Sequence, residues 1–264
     1  MPSRHERLWR AAFRRALLLR ARDLPRIGGG GRCLVLAPHQ DDETLGCGGT
    51  IMARVDAGWS VEVAFATDGA GSHASPRTPA RKLAEIREAE ARAACATLGI
   101  SPEHLHFLRF PDGALELHAT ALDAAVAELI ATLDPVEILV CSSLDAHADH
   151  RALNASAHRV AGRSGRSILE YPVWIWTLRA WQSPRRSPLG RAFEALRRQQ
   201  TALAQHRVLC SPVHPYLQRK RAALACHATQ MGGYEPEPDW GKLDPEFLEN
   251  FFTGVELFFE RRVR

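Results

Sequence analysis

The pattern of hydrophobic and polar positions predicts alternating strands and helices over most of the chain. A short, continuous apolar run at 33–37 is typical of a strand buried on both faces of a sheet, and further strands are predicted at 61–67, 105–108 and 138–142. Between them, apolar residues recur at helical spacing over 44–57, 81–98 and 117–133, and another helix is predicted to begin near Asp149. Regular alternation of this kind predicts an α/β fold, a Rossmann-like three-layer α/β/α sandwich with a mostly parallel sheet.

The pattern becomes less regular after Arg163. A helix is predicted over 216–229. The segment 247–259 is ambiguous, because Asp244-Pro245 is a typical helix start whereas the residues around Val255 alternate like an edge strand.

A basic amphipathic helix is predicted between Arg7 and Arg20, with apolar residues at helical spacing beside a stripe of arginines. Such a helix can make peripheral contact with an anionic membrane through residues 7–20, or it can pack on its own domain with its arginines in solvent. Four glycines at 28–31 then predict a flexible joint. We therefore expect residues 1–31 to form an N-terminal helix and Gly linker, and residues 32–264 to form the main domain.

Composition and charge exclude several classes of protein. The chain has 264 residues, of which 45% are hydrophobic and 24% charged, which are ordinary values for a folded protein. No run of 18 apolar residues predicts a spanning helix, and the amino end lacks the apolar segment of a signal peptide, so a cytoplasmic location is expected, with membrane association as the alternative. Six cysteines lie far apart without a CxxC pair, which argues against a disulfide framework or a zinc knuckle.

The formal net charge of +4 is concentrated at one end. Residues 1–26 contain eight arginines and only two acids, Glu6 and Asp23. The high pI therefore describes this end of the chain, and no nucleic-acid partner is expected.

Two polar clusters directly follow two of the predicted strands. One is P-H-Q-D-D-E at 38–43 and the other is D-A-H-A-D-H at 145–150. Because the carboxyl ends of parallel strands meet at one edge of a sheet, we expect both clusters to lie together there. Two imidazoles and a carboxylate with an open position are a typical ligand set for catalytic zinc. The alternative for Asp42 and Glu43 is that they only stabilise the amino end of a helix.

These clusters resemble the motifs of the PIG-L/LmbE-like zinc-dependent N-acetylglucosaminyl deacetylases. The stretch L-A-P-H-Q-D-D-E-T-L-G-C-G-G-T at 36–50 resembles the family's A-H-P-D-D-E motif, and H-A-D-H at 147–150 resembles its H-x-D-H motif. Similarity extends over about residues 33–231, through 67–69, 87–99, 110–113, 170–174 and 227–230. The resemblance implies that the domain 32–264 is a hydrolase that removes the N-acetyl group from an amino sugar within a glycoconjugate or polysaccharide precursor.

The resemblance also implies a metal site and two catalytic side chains. His39, Asp42 and His150 would bind Zn2+, and Fe2+ or Co2+ would fit the same ligands. Asp41 would be the general base for the attacking water. His147 would stabilise the tetrahedral oxyanion and protonate the leaving amine.

Four further residues receive roles from the same resemblance. Arg87 and Asp112 would contact the sugar hydroxyls or nearby groups of the substrate. Asp149 would orient a metal-binding histidine from behind. Glu43 would organise the loop that carries the first motif.

Gln40 departs from the family pattern, which has proline at this position. A glutamine side chain can hydrogen-bond either a ligand or the loop, and the loop loses the rigidity that proline gives. We expect a changed substrate preference rather than a lost activity.

Large aromatic residues cluster after the second motif, and two interpretations of them stay open. They can stack on sugar rings or pack in the core. The residues are Tyr171, Trp174, Trp176 and Trp181.

Two other functions are compatible with the motifs. One is an amidase that acts on thiol-sugar conjugates. The other is a non-catalytic sugar-binding protein on the same scaffold. The presence of both Asp41 and His147 argues against the second, because a protein without catalysis has no need for a base and an acid.

Overall fold

One mixed sheet forms the centre of the protein in the computed structural model, which describes residues 4–24, 30–71, 75–162, 165–181 and 188–262. Its eight strands are β1 (Arg22–Asp23), β2 (Arg32–Ala37), β3 (Ser60–Thr67), β4 (Leu105–Phe110), β5 (Glu137–Cys141), β6 (Ser167–Tyr171), β7 (His206–Pro212) and β8 (Val255–Arg261). Their order is β1-β7-β8-β6-β5-β2-β3-β4. β8 is antiparallel to β6 and β7, and all other neighbours are parallel.

Helices cover both faces of this sheet. They are α1 (Arg4–Leu18), α2 (Asp42–Asp56), α3 (Ala80–Leu98), α4 (Ala119–Leu133), α5 (Ala148–Ala161), α6 (Pro188–Gln205), α7 (Leu217–Ala225), α8 (Ala228–Met231) and α9 (Pro245–Leu248). α2, α3 and α7 pack together, and α4 packs on α5. Because the strand order reverses direction at β2 and crossovers between parallel strands are right-handed as a rule, these groups lie on opposite faces. The predicted three-layer α/β fold is confirmed.

The regular part of the chain follows the predicted elements closely, whereas the later part differs. β1, β6, α6 and β7 were not evident from the pattern. The helix predicted over 216–229 is broken between α7 and α8 at His227, whose ψ of 59° is not helical. The ambiguous segment 247–259 contains both candidates, because the end of α9 is followed by a turn and then by β8.

The amphipathic helix α1 packs on the rest of the protein through its apolar face. The Phe13 ring contacts Trp176 and Trp181 edge-on, with centroids 6.3 and 5.3 Å away. Leu17 is fully buried, and Arg10 donates a hydrogen bond from Nε to the Trp176 carbonyl at 3.0 Å. Of the two interpretations of this helix, packing on its own domain is therefore the one that the structure shows. Phe13 and Leu17 are therefore taken up by the core, whereas Leu8 on the same helix is 64% exposed.

The proposed boundary between residues 1–31 and 32–264 stays a prediction, because Gly28 and Gly29 lie outside the described residues. On either side of them, β1 joins the sheet beside β7, and β2 begins at Arg32. Within the described ranges, no helix combines the length and the apolar character that a bilayer crossing requires.

Candidate metal centre

The two polar clusters lie at the same edge of the sheet, as the sequence predicts. β2 and β5 are parallel neighbours, with Leu36 opposite Val140 near their carboxyl ends. The first cluster leaves β2 and enters α2, and the second leaves β5 and enters α5. Sheet pairing therefore brings together residues that are more than a hundred positions apart in the chain.

Three predicted metal ligands converge at this edge. Asp42 Oδ2 lies 3.1 Å from His39 Nδ1 and 3.2 Å from His150 Nε2. The rings of His39, His147 and His150 also present nitrogen atoms within 4.8 Å of one another. His147 is thus close enough to the centre either to face a substrate or to reach a metal.

Each of the two predicted metal-binding imidazoles is held by carboxylates on its other ring nitrogen. His150 Nδ1 lies 2.9 Å from Asp145 Oδ2, and His39 Nε2 lies 3.2 Å from both Asp149 Oδ2 and Asp112 Oδ1. Because carboxylates accept these bonds, the protons stand on the nitrogens that point away from the centre. His150 Nε2 is buried and makes no hydrogen bond with any described group. Two imidazole lone pairs and one carboxylate are a donor set that fits zinc.

The charges of this cluster shift its pKa values strongly. Burial alone would raise the pKa of Asp42, but His150 and His39 hold it well below its usual range. Burial alone would lower the pKa of His39, but its bonds to Asp112, Asp149 and Asp42 raise it well above the usual value. The carboxylates around the two imidazoles therefore stabilise a positive charge at the centre of the cluster.

Asp41 stands beside this centre in an unusual backbone conformation. Its φ is 151° and its ψ is −23°, a region that side-chain-bearing residues rarely adopt. The Asp41 N–H donates to Glu43 Oε2 at 3.1 Å, which helps to hold the turn. Burial and then the neighbouring charge of Asp42 raise the pKa of Asp41 to about 7.

His147 caps the amino end of α5. The Asp149 N–H donates to His147 Nδ1 at 3.3 Å, so the neutral ring carries its proton on Nε2. Burial and the nearby charges of His39 and His150 lower the pKa of His147. The ring can therefore present an N–H donor to the centre.

A cavity of about 300 Å3 opens over these groups. Arg87 and Asp112 both line it, as the sequence predicts for substrate contacts. Arg87 is 3% exposed, and Asp112 also accepts a hydrogen bond from the Gly71 N–H at 2.9 Å. Lys242 also lines the cavity, and no pattern in the sequence singled it out.

The Gln40 side chain forms its hydrogen bond within the protein and does not line the cavity. Its Nε2 donates to the Thr67 carbonyl at 2.8 Å, and its side chain is fully buried. It therefore ties the first motif to the end of β3. Gly69 (φ 66°) fits against it, since a Cβ there would lie 2.2 Å from Gln40 Oε1.

Of the four aromatic residues after the second motif, one lines the cavity and three pack in the core. Trp174 lines the cavity and stacks on Phe247 with ring centroids 4.8 Å apart. Tyr171, Trp176 and Trp181 are at most 3% exposed and belong to the core. Only Trp174 is placed to meet a substrate.

A buried layer behind α2 was not selected from the sequence as functional. Lys220 Nζ donates to the Leu45 carbonyl at 2.8 Å and pairs with Glu256 at 2.6 Å. His227 Nε2 lies 3.5 Å from Glu43 Oε1, consistent with a loop-organising position for Glu43. Gln230 also belongs to this layer and donates to the Gln40 carbonyl at 2.5 Å. The only sequence signal for this layer was the similarity at 227–230.

Comparisons with known proteins agree with this geometry. Residues 34–161 match the model of the PIG-L family, described as GlcNAc-PI de-N-acetylase. The probable N-acetyl-alpha-D-glucosaminyl L-malate deacetylase 2 of Bacillus cereus is 32% identical over 135 residues. The match covers 49% of this chain and 60% of the relative, which is less than two thirds of that protein's length. The resemblance carried by the two motifs is confirmed.

Solved structures show the same fold across nearly the whole chain. The A40926 pseudoaglycone deacetylase Dbv21 superposes with a TM-score of 0.64 at 21% identity, covering 89% of this chain and 99% of that one. The N,N'-diacetylchitobiose deacetylase of Pyrococcus horikoshii gives a TM-score of 0.63 at 17% identity, covering 100% and 94%. At these identities the likeness establishes the fold.

Proposed function

Because residues 34–161 match the PIG-L family, we propose that this chain is a metal-dependent hydrolase that removes the N-acetyl group from an N-acetylated amino sugar. The observation that carries the proposal is the convergence of His39 Nδ1 and His150 Nε2 on Asp42 Oδ2, with Asp41 and His147 in the same cavity. A relative named for deacetylation of a glucosaminyl malate supports it.

His39, Asp42 and His150 would hold the metal, for which Zn2+ is the preferred ion. When bound, the ion would activate water and polarise the amide carbonyl. Fe2+ and Co2+ suit the same nitrogen and oxygen donors. Asp149 and Asp145 keep the two imidazoles in the tautomers that such an ion needs.

Asp41 and His147 would carry the proton transfers. Asp41 lines the cavity beside the metal ligands and would accept the proton of the attacking water. His147 would donate from Nε2 to the oxyanion and then protonate the departing amine. Glu43 fixes the backbone of Asp41 and takes no direct part.

The substrate would lie against Arg87, Trp174 and Lys242. Trp174 offers an apolar ring face for a sugar, and Arg87 offers donors for hydroxyl or carbonyl oxygens. Asp112 would accept from a sugar hydroxyl, and because it lies 3.2 Å from His39 Nε2 it would also help to orient that ligand. The sugar would belong to a glycoconjugate or polysaccharide precursor, of which the cavity of about 300 Å3 would take the N-acetylated unit.

The test is a screen of N-acetylated glycans for acetate and primary amine, with the zinc content measured on the same sample. Asp41→Asn and His147→Ala should each lower turnover by about 10²–10⁴-fold while retaining the metal, because both remove a proton-transfer group. Asp123→Asn, which alters a surface ion pair with Arg159, is the matched control and should keep full activity.

Equal turnover in the wild type and both active-site variants would contradict the assigned roles. Cleavage of a thiol conjugate without acetate release would favour the amidase function instead. Sugar binding without any turnover in the zinc-loaded protein would favour the non-catalytic function.

A further inference from the structure

A second cavity, of about 730 Å3, lies at the edge of the sheet opposite the metal centre. Its floor is formed by the first rungs of the β7–β8 ladder, where His206 pairs with Arg261 and Arg207 pairs with Glu260. β7 runs parallel to β6, because both are antiparallel to β8. The start of β7 therefore lies at the amino edge of the sheet, away from the catalytic groups at the carboxyl edge.

Positive charge dominates this cavity. Five arginines and one carboxylate, Glu260, line it. Arg207 pairs with Glu260 at 2.9 Å, and Arg261 pairs with Glu170 at 2.8 Å. The three remaining arginines make no ion pair with any described residue; they are Arg20, Arg22 and Arg262. Unpaired guanidinium groups around one cavity repel one another unless an anion joins them.

One ring nitrogen of a buried histidine in the same wall has no hydrogen-bond partner among the described residues. His206 is 5% exposed, and its Nδ1 donates to the Ala202 carbonyl at 2.9 Å. Its Nε2 is buried and has no hydrogen-bond partner among the described residues. A buried polar atom of this kind needs an acceptor or donor that the protein does not supply. His206 lines the second cavity, so a ligand bound there would lie beside this unsatisfied nitrogen.

We propose that this second cavity binds a phosphomonoester. The planar guanidinium fork matches the oxygens of a phosphoryl group, and charge-assisted bonds of this type are the strong ones. Leu203 adds an apolar wall for the organic part of such a ligand. The ester can belong to a soluble metabolite or to a lipid headgroup. Leu19, which is 79% exposed and directly precedes Arg20, would contact the acyl region in the second case.

The experiment uses the zinc-loaded full chain and two probes. The first is glycerol 3-phosphate, titrated by calorimetry at constant ionic strength. The second is a phosphatidylcholine vesicle with and without phosphatidic acid, used in a flotation assay. The double variant Arg22→Gln/Arg262→Gln removes two unpaired arginines of the second cavity. Arg81→Gln/Lys82→Gln removes two exposed charges from α3 and is the matched control.

The wild type and the control should bind one of the probes saturably, and the Arg22→Gln/Arg262→Gln variant should bind it at least about tenfold more weakly. Deacetylation, measured on the same samples, should be the same in all three proteins, since both arginines lie far from the metal centre. Binding of glycerol 3-phosphate indicates a soluble ester. Binding of phosphatidic acid vesicles alone, weakened by Leu19→Ser, indicates a lipid headgroup.

Two outcomes would overturn the proposal. One is the absence of saturable binding of either probe to the wild type. The other is equal affinity in the Arg22→Gln/Arg262→Gln variant and the control, which would place the bound phosphate elsewhere. If the double variant has a lowered melting temperature without ligand, Arg20→Gln alone replaces it, because Arg20 is exposed and makes no side-chain bond to a described residue.

Discussion

Asp145 shows how a single buried carboxylate can determine the geometry of the whole centre. Its Oδ2 accepts from His150 Nδ1, and its Oδ1 accepts backbone N–H bonds from Trp174 and Ile175 at 2.8 and 3.0 Å. Burial raises the pKa of Asp145, and the hydrogen bond and charge of His150 oppose that rise. The residue therefore connects a predicted metal ligand to Trp174 in the wall of the cavity over the centre.

Asp145→Asn should lower the affinity for Zn2+ by about 10–100-fold. The backbone donors would keep the amide oxygen on their side, so the amide N–H2 would face His150 Nδ1 and favour the wrong tautomer. Competition with a chromophoric chelator measures the affinity, and Asp123→Asn is the control. Unchanged zinc affinity in a folded Asp145→Asn protein would show that this carboxylate does not position His150.

Among the elements, α2 requires glycine at one position and tolerates a side chain at another. A Cβ on Gly46 would lie 2.1 Å from Tyr171 Cδ2, and Tyr171 is fixed by its bond to the Leu36 carbonyl at 2.9 Å. A Cβ on Gly48 would find its nearest neighbour, Leu98 Cδ2, at an ordinary 3.5 Å. Close approach of helix and sheet therefore depends on Gly46 and not on Gly48.

Gly46→Ala should lower the free energy of unfolding by about 1–3 kcal/mol through overpacking. Gly48→Ala should leave it unchanged or raise it by up to about 1 kcal/mol, because alanine is the better helix former. Urea denaturation of the two variants measures the difference. Equal stability of the two would mean that Tyr171 can move out of the way.

For the molecule as a whole, α1 behaves as part of the core. Phe13 and Leu17 are buried among residues from distant parts of the chain, whereas Leu8 on the same helix is 64% exposed. The packing of α1 therefore contributes to the stability of the whole fold.

Phe13→Ala should destabilise the protein by about 3–5 kcal/mol, as expected for a large aromatic residue lost from a core. Leu8→Ala should change stability by less than about 0.5 kcal/mol. Thermal unfolding followed by circular dichroism checks both. A single unchanged transition in Phe13→Ala would show that α1 is an independent appendage.

Glu170 links β6 to two other elements and gives the fold a pH dependence. Its carboxylate is 2.9 Å from His158 Nε2 and 2.8 Å from Arg261 Nε. Burial alone would raise the pKa of Glu170, but His158 and Arg261 hold it far below the ordinary value of 4.5. Because this pKa is lower in the folded than in the unfolded protein, the ionised Glu170 stabilises the fold fully above about pH 4.5. This contribution to the free energy of unfolding is lost as the pH falls below that value.

The free energy of unfolding of the wild type should therefore fall more steeply between about pH 5 and pH 3 than that of Glu170→Gln. Denaturant unfolding at a series of pH values compares the two slopes. Parallel slopes would show that Glu170 binds the same number of protons in the unfolded state as in the folded state, and so does not contribute to the pH dependence.

Local sequence determined the regular half of the sheet and the two polar motifs of the predicted site. Continuous apolar runs identify β2 and β5, because a strand buried on both faces has no polar positions. The same pattern does not identify β6, in which Glu170 is fully buried. That carboxylate tolerates burial only because His158 and Arg261 reach it from α5 and β8, and the partners of a residue are not part of its local pattern.

Tertiary structure alone decided which side chains surround the predicted groups. His39, Asp42 and His150 could be selected from motifs, since each motif follows a strand and strand ends meet. The contacts of Lys220 and Asp145 could not be selected, because they depend on how loops and helices pack across the sheet. Hydrophobic periodicity indicates which positions of a helix or strand face the core. A functional site depends instead on which residues from distant parts of the chain lie next to one another.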